Sequence, residues 1–181
     1  MSGIGHNSGR VLEPGKSWRT HVWKKARTEL LPKLPIEVVR LRVRRAKELG
    51  LPYKTYAGIR ASTGHDLVGF LFSSNALRGW EDGQELPKDR IEKLAEISNA
   101  RKIAIVQRPC NPTSFVPPLD SAFTAPVVLK SWSETRDALK RMIAKEAPAD
   151  RFLLIGDSAE ERIWAEAAQT AGYLSADAYF N

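Results

Sequence analysis

Two groups of side chains in this 181-residue chain have the types and spacing to do chemistry. The first is cationic. Arg40, Arg44 and Lys47 recur at intervals of four and three, so a helix places them on one face, and Tyr53, Lys54, Thr55 and Arg60 follow in a second helical stretch. Cations on one helix face suit the evenly spaced phosphates of a polyanion, and polar side chains on the adjoining helix suit base edges. The second group is polar and stands at the ends of apolar runs. Ser74 and Asn75 follow LVGFLFS, Asp157 and Ser158 follow FLLIG, and Lys130 stands before a helical segment. In an open parallel sheet such residues meet in the crevice beyond the strand C-terminal ends, where a helix N-terminus can hold a phosphate.

The elements that position the first group are two short helices. Ile36, Val39, Val43 and Ala46 form an apolar face opposite the cations, and Gly50 offers a left-handed stop. Pro52 suits the first turn of the next helix, which carries Tyr53, Tyr56 and Ile59 inward and ends at Gly64. An earlier helix is expected from Lys16 to Leu31, adding Lys24, Lys25 and Arg27 to the basic surface, after a flexible tail over residues 1–15.

From His65 onward strands alternate with helices. Strands are expected at Leu67–Ser74, Lys102–Gln107, Val127–Leu129 and Phe152–Ile155. Helices are expected at Pro87–Ser98, with Ile91, Leu94 and Ala95 inward, at Ser133–Ala147, and from a Ser158 cap to Ala171, with Ile163, Ala167 and Ala171 buried together. The expected fold is α/β: an N-terminal basic helical module over residues 16–64, followed by a small, mainly parallel α/β layer domain over residues 65–181.

Charge divides in the same place. Residues 1–60 hold 14 Lys+Arg against 4 Asp+Glu, a balance of +10; residues 61–181 hold 14 against 17, a balance of −3. A basic first third is expected to meet nucleic acid or an acidic protein partner. No apolar run approaches the roughly 20 residues of a membrane span, so no membrane partner is expected. The opening residues lack the apolar core of a secretory signal, and one cysteine, Cys110, allows no internal disulfide, so the expected location is cytoplasmic. His6, His21 and His65 lack metal-ligand spacing, and Cys-x-x-Cys and the glycine-rich phosphate motifs are absent. No cofactor is expected, and Asp157 with Glu161 is the sole weak suggestion of a metal pair.

Four resemblances add to this reading. Ala46, Leu49, Gly50, Leu51, Tyr56 and Ile59, counted over Arg42–Ala61, resemble a helix-turn-helix unit, with Arg45 standing where an apolar residue is preferred. The same corner is similar to that of ribbon-helix-helix repressors, although LLPKLP before it is a poor strand. Gly5, His6, Asn7, Gly9, Trp18, Trp23, Ala46, Leu49, Gly50, Leu51, Tyr53 and Tyr56 resemble a group of small uncharacterised bacterial proteins that open with a Gly-His-Asn-Gly type tag, over residues 3–75. Lys130, the helix after it and FLLIGDSAEE are similar to the last motifs of haloacid-dehalogenase-type phosphatases. That likeness implies a phosphate-neutralising Lys130, a Mg²⁺-holding Asp157 and Glu161, and a hydroxyl from Ser73 or Ser74. The nucleophilic Asp-x-Asp of that family is absent, and without it no phospho-enzyme forms.

The sequence therefore points to a DNA-binding protein, with a regulatory role and an α/β body for homodimerisation or ligand sensing. The alternatives are an enzyme acting on a phosphate-bearing ligand in the Ser74, Asn75, Lys130, Asp157 and Ser158 crevice, and an adaptor for an acidic protein.

Overall fold

The computed structural model describes residues 34–127 and 131–181. The expected tail, the Lys16–Leu31 helix and Lys130 lie outside the described residues, as does most of the expected strand at Val127–Leu129. The chain divides into two units, Met1–Val39 and Arg40–Asn181, and the sheet with both its cores belongs to the second.

Helix α1 (Ile36–Glu48) and helix α2 (Tyr53–Thr63) meet at the expected corner. Gly50 has φ +62°, and Gly64 caps α2 at φ +75°; both are left-handed positions that glycine reaches at little cost. Strand β1 (Gly69–Ser73) runs into a one-turn helix α3 (Ser74–Leu77), and helix α4 (Lys88–Glu96) leads to β2 (Arg101–Val106). Strand β3 is Ser121–Thr124, helix α5 is Trp132–Ile143 and β4 is Phe152–Gly156. Helix α6 (Ala159–Ala168), β5 (Gly172–Ser175) and α7 (Ala176–Phe180) complete the order. All five strands are parallel, in the order β3-β2-β1-β4-β5.

Side chains alternate across the pleat, so the central strands feed two cores. Phe70, Phe72, Ala104, Val106, Leu153 and Ile155 face one side, where Ala46, Leu49, Leu51 and Tyr56 of the helix pair pack together with Leu94 and Tyr179. Leu71, Ile103, Ile105, Phe152 and Leu154 face the other, against Leu139, Ile143, Trp164 and Ala168. The basic helix pair thus shares a core with the sheet.

Several expectations change. Val43 and Ile36 are exposed, at 47% and 61%, and Ala46 alone of the expected apolar face is buried. Arg45 takes the inward stripe beside Ala46 and Leu49, because its guanidinium finds Asp66 Oδ2 at 3.1 Å, the Leu67 carbonyl at 2.8 Å and Glu48 at 2.9 Å. That shifts the buried stripe around the helix and leaves Val43 and Leu41 outside. Tyr53 is exposed while Tyr56 is buried, its hydroxyl donating to Asp66 Oδ1. In α4, Leu94 is inward but Ile91 and Ala95 are exposed, and Arg90 is buried instead. Strand β3 was not expected and follows a stretch that carries Pro109, Pro112, Pro117 and Pro118; Lys102 N donates to the Asp120 carboxylate and Asp120 N to the Lys102 carbonyl, which fixes its register against β2. Its sequence, SAFT, is half-buried and so lacks the apolar run of a central strand. The cap of α5 is Ser131, not Ser133. In α6 Ala167 is buried as expected, as is Ala171 just beyond the helix, but the rest of the inward stripe is Glu161, Trp164, Ala165 and Ala168, spaced three and four apart, which leaves Ile163 48% exposed. Strand β5 and α7 lie beyond the expected helix end at Ala171, where no element was expected.

Helix α7 ties the C-terminal residues to α1. The Tyr179 hydroxyl donates to the Leu49 carbonyl at 3.1 Å, and its ring packs on Phe70 and Phe72 at 5.3 and 5.7 Å. Burial pushes the Tyr179 phenol well above its ordinary value, with Glu96 adding to the shift. A raised acid pKa in the fold means the unfolded chain releases the proton first. The Tyr179 contribution is therefore complete below pH about 10 and is lost as pH rises above it. Urea midpoints measured from pH 8 to 11 should fall more steeply for wild type than for Tyr179→Phe. Parallel curves would remove Tyr179 from the alkaline transition.

Candidate functional site

The cationic group lies on the outer surface of the helix corner. Arg40, Arg44 and Lys47 fall within about 60° of one another on α1 and are exposed. Lys54 and Tyr53 are exposed in the first turn of α2. Arg44, Lys47 and Lys54 make no side-chain hydrogen bond or ion pair among the described residues. Thr55 and Arg60 are half-buried, and Arg60 Nη1 lies 3.8 Å from Asp66 Oδ1. Arg40, Arg44, Lys47, Tyr53 and Lys54 are therefore the exposed members of the group, while Arg60 turns toward Asp66.

Asp66 is the hub that sequence reading missed. It accepts from Arg45 Nε, from the Tyr56 hydroxyl at 2.7 Å and from its neighbour Leu67 N at 2.9 Å. Burial and this bond raise the Tyr56 pKa. The signal was present: an arginine in an apolar place at position 45 demands a partner, and Asp66 is the first aspartate in the chain.

The sheet order puts β1 beside β4, so Ser74, Asn75, Asp157 and Ser158 stand at adjoining strand ends. Most of their polar atoms are engaged in holding the fold. Ser73 Oγ caps α3, and Ser158 Oγ caps α6 by accepting from Glu161 N. Ser74 Oγ accepts from Gln107 N at 3.1 Å. Glu161 is fully buried and occupies the crevice itself. Its Oε1 accepts from Asn75 Nδ2 and Gln107 Nε2, both at 3.0 Å, and its Oε2 accepts from Asp157 N at 2.6 Å and Ser158 N at 3.1 Å. Four donors fill the four lone-pair directions of a carboxylate. Glu161 therefore does not serve as the expected partner of Asp157 at a metal. Gly156 is required here, because a Cβ would come within 2.9 Å of Glu161 and 2.8 Å of Tyr173. Among the described residues no cluster of three or more His, Cys, Asp or Glu is placed to hold a metal ion.

A cation that the sequence did not mark stands at this same edge. Arg90, in the first turn of α4, is 1% exposed, and its guanidinium lies 4.0 Å over the Phe180 ring. Nη1 comes within 3.1 Å of Asp89 Oδ2 without hydrogen-bond geometry, and neither Nε nor Nη1 finds a hydrogen-bond acceptor among the described residues. Burial lowers its pKa; Asp89, Asp157 and Asp177 oppose that shift and Arg78 adds to it. No helix among the described residues is long and apolar enough to cross a membrane. No protein-family model matches the chain, and neither a curated protein nor a solved structure shows significant similarity to it.

Proposed function

We propose that the protein binds nucleic acid through the outer face of α1 and the start of α2. The observation that carries this reading is that Arg44 and Lys47 on one face of α1 and Lys54 in the first turn of α2 are exposed and none is paired to a carboxylate among the described residues, with Arg40 on the same α1 face and Tyr53 exposed next to Lys54. Unpaired cations on a rigid helix corner supply phosphate contacts and counterion release without first breaking an ion pair. The corner is fixed to the sheet by Arg45, Tyr56 and Asp66, so the row is held in one geometry. Duplex DNA is the favoured polyanion, with Lys54 and Tyr53 toward base edges and a regulatory role for the α/β body.

The test is a salt titration on a mixed set of duplexes. Each lost phosphate contact flattens the slope of log affinity against log salt by about 0.9. Arg44→Ala with Lys47→Ala should weaken every sequence alike and flatten the slope by roughly two. Lys54→Ala should change the preference among sequences. A wild type that binds no duplex near about 50 mM salt would reject nucleic acid and favour an acidic protein partner. Binding with an unaltered slope in the double variant would move the interface off this face.

A further inference from the structure

We propose a second, separate binding site at the C-terminal edge of the sheet, where Arg90 and the N-terminus of α4 hold the phosphate group of a small hydroxylated molecule. Three observations converge on it. The Arg90 guanidinium is buried, and the Asp89 carboxylate lies 3.1 Å from Nη1, yet Nε and Nη1 make no hydrogen bond to an acceptor among the described residues. A buried cation with idle donors is costly unless an anion completes it. Helix α4 is nine residues long and begins at Pro87 without a side-chain cap; the Arg90 amide donates to the Pro87 carbonyl at 3.0 Å, and the Lys88 and Asp89 amides ahead of it are the ones a ligand can reach. Arg90 occupies the third helical position, and helical side chains lean back toward the N-terminus, which brings the fork and these amides to one place. A tetrahedral oxyanion accepts from both, and an arginine fork matches its geometry.

The surroundings define the rest of the ligand. Beyond the adjacent Asp89 carboxylate, Arg78 after α3, Asp157 at the end of β4 and Asp177 in the first turn of α7 lie within electrostatic reach of Arg90. Arg78 adds a second cation for the phosphate. Asp157 and Asp177 are exposed carboxylates that accept hydrogen bonds from ligand hydroxyl groups and disfavour a polyanion with no donors. Phe180 covers the guanidinium, so its half-buried ring shifts when the phosphate seats. The contacts of Arg90 are with Asp89 and Phe180 and not with the α1 cations, and the site does not depend on nucleic-acid binding.

The experiment is thermal unfolding of the full chain in inorganic phosphate against chloride at equal ionic strength, repeated with glycerol 3-phosphate. For a millimolar Kd, about 20 mM phosphate should raise the wild-type Tm by roughly 4 °C relative to chloride, and glycerol 3-phosphate should raise it further. Arg90→Met should lose the shift. Arg90→Lys, which keeps the cation without the fork, should show a smaller shift than wild type. Arg44→Ala with Lys47→Ala should retain it in full. A wild type with no shift beyond chloride, a shift equal to wild type in either Arg90 variant, or a loss in the α1 double variant would each overturn the assignment.

Discussion

Glu161→Gln lowers the unfolding free energy by about 3 kcal/mol, nearly as much as Glu161→Ala, although glutamine is almost isosteric with the glutamate it replaces. The reason is the donor count. Both carboxylate oxygens accept two hydrogen bonds, from Asn75 and Gln107 on one side and from the Asp157 and Ser158 amides on the other. A glutamine NH₂ group faces two donors whichever way it is turned. One pair of buried donors is then left without an acceptor, at about 1–3 kcal/mol for each group. Alanine leaves all four unsatisfied but opens room for water, so its cost is about 4 kcal/mol. In a chain of this size such losses lower Tm by roughly 10 °C. Urea unfolding of both variants measures this directly, and a glutamine variant with the wild-type midpoint would show that the Glu161 network contributes little. The site is the point where β1, β2 and β4 are held together beyond their backbone ladders, so the loss should appear as reduced cooperativity as well.

The second large effect separates two adjacent arginines. Arg45→Ala costs about 2–3 kcal/mol, while Arg44→Ala changes stability by less than about 0.5 kcal/mol. Arg45 donates to the Asp66 carboxylate, to Glu48, and to the carbonyls of Leu67 and Asn99, so its guanidinium joins α1 to the start of β1 and to the turn before β2. Its side chain is 17% exposed and that of Asp66 43%, so the ion pair itself is screened. The larger part of the cost is the loss of bonds to backbone carbonyls and the weakening of the Tyr56–Asp66 contact. Arg44 touches none of these groups. Denaturant midpoints and DNA salt slopes measured on the same two variants should dissociate: Arg45→Ala shifts the midpoint, and Arg44→Ala shifts the slope by about one. Equal midpoints in the two variants would remove Arg45 from the scaffold.

The fold class was legible because its signals are local. LVGFLFS, KIAIVQ and FLLI are apolar runs of strand length, and buried parallel strands require little more than that. Gly50 and Gly64 ended their helices because no neighbour competes with a left-handed stop. Ser158 marked the start of α6 for the same kind of reason. Edge elements were not legible. Strand β3 and β5 are half-buried, so SAFT and GYLS carry no apolar signature, and only pairing with β2 and β4 makes them strands.

Which helix face turns inward was likewise decided by partners far along the chain. Arg45 is drawn in by Asp66 and the Leu67 carbonyl, and that sends Val43 outward; Glu161 is drawn in by Asn75 and Gln107, and that sends Ile163 outward. A hydrophobic count at helical spacing contains no such information, because it weighs each residue alone. The cationic row of α1 could be read from spacing, since exposed charges need no partner to stay where the helix puts them. Arg90 could not. Its burial depends on Phe180, ninety residues later, and its idle donors become visible only when every nearby acceptor has a position.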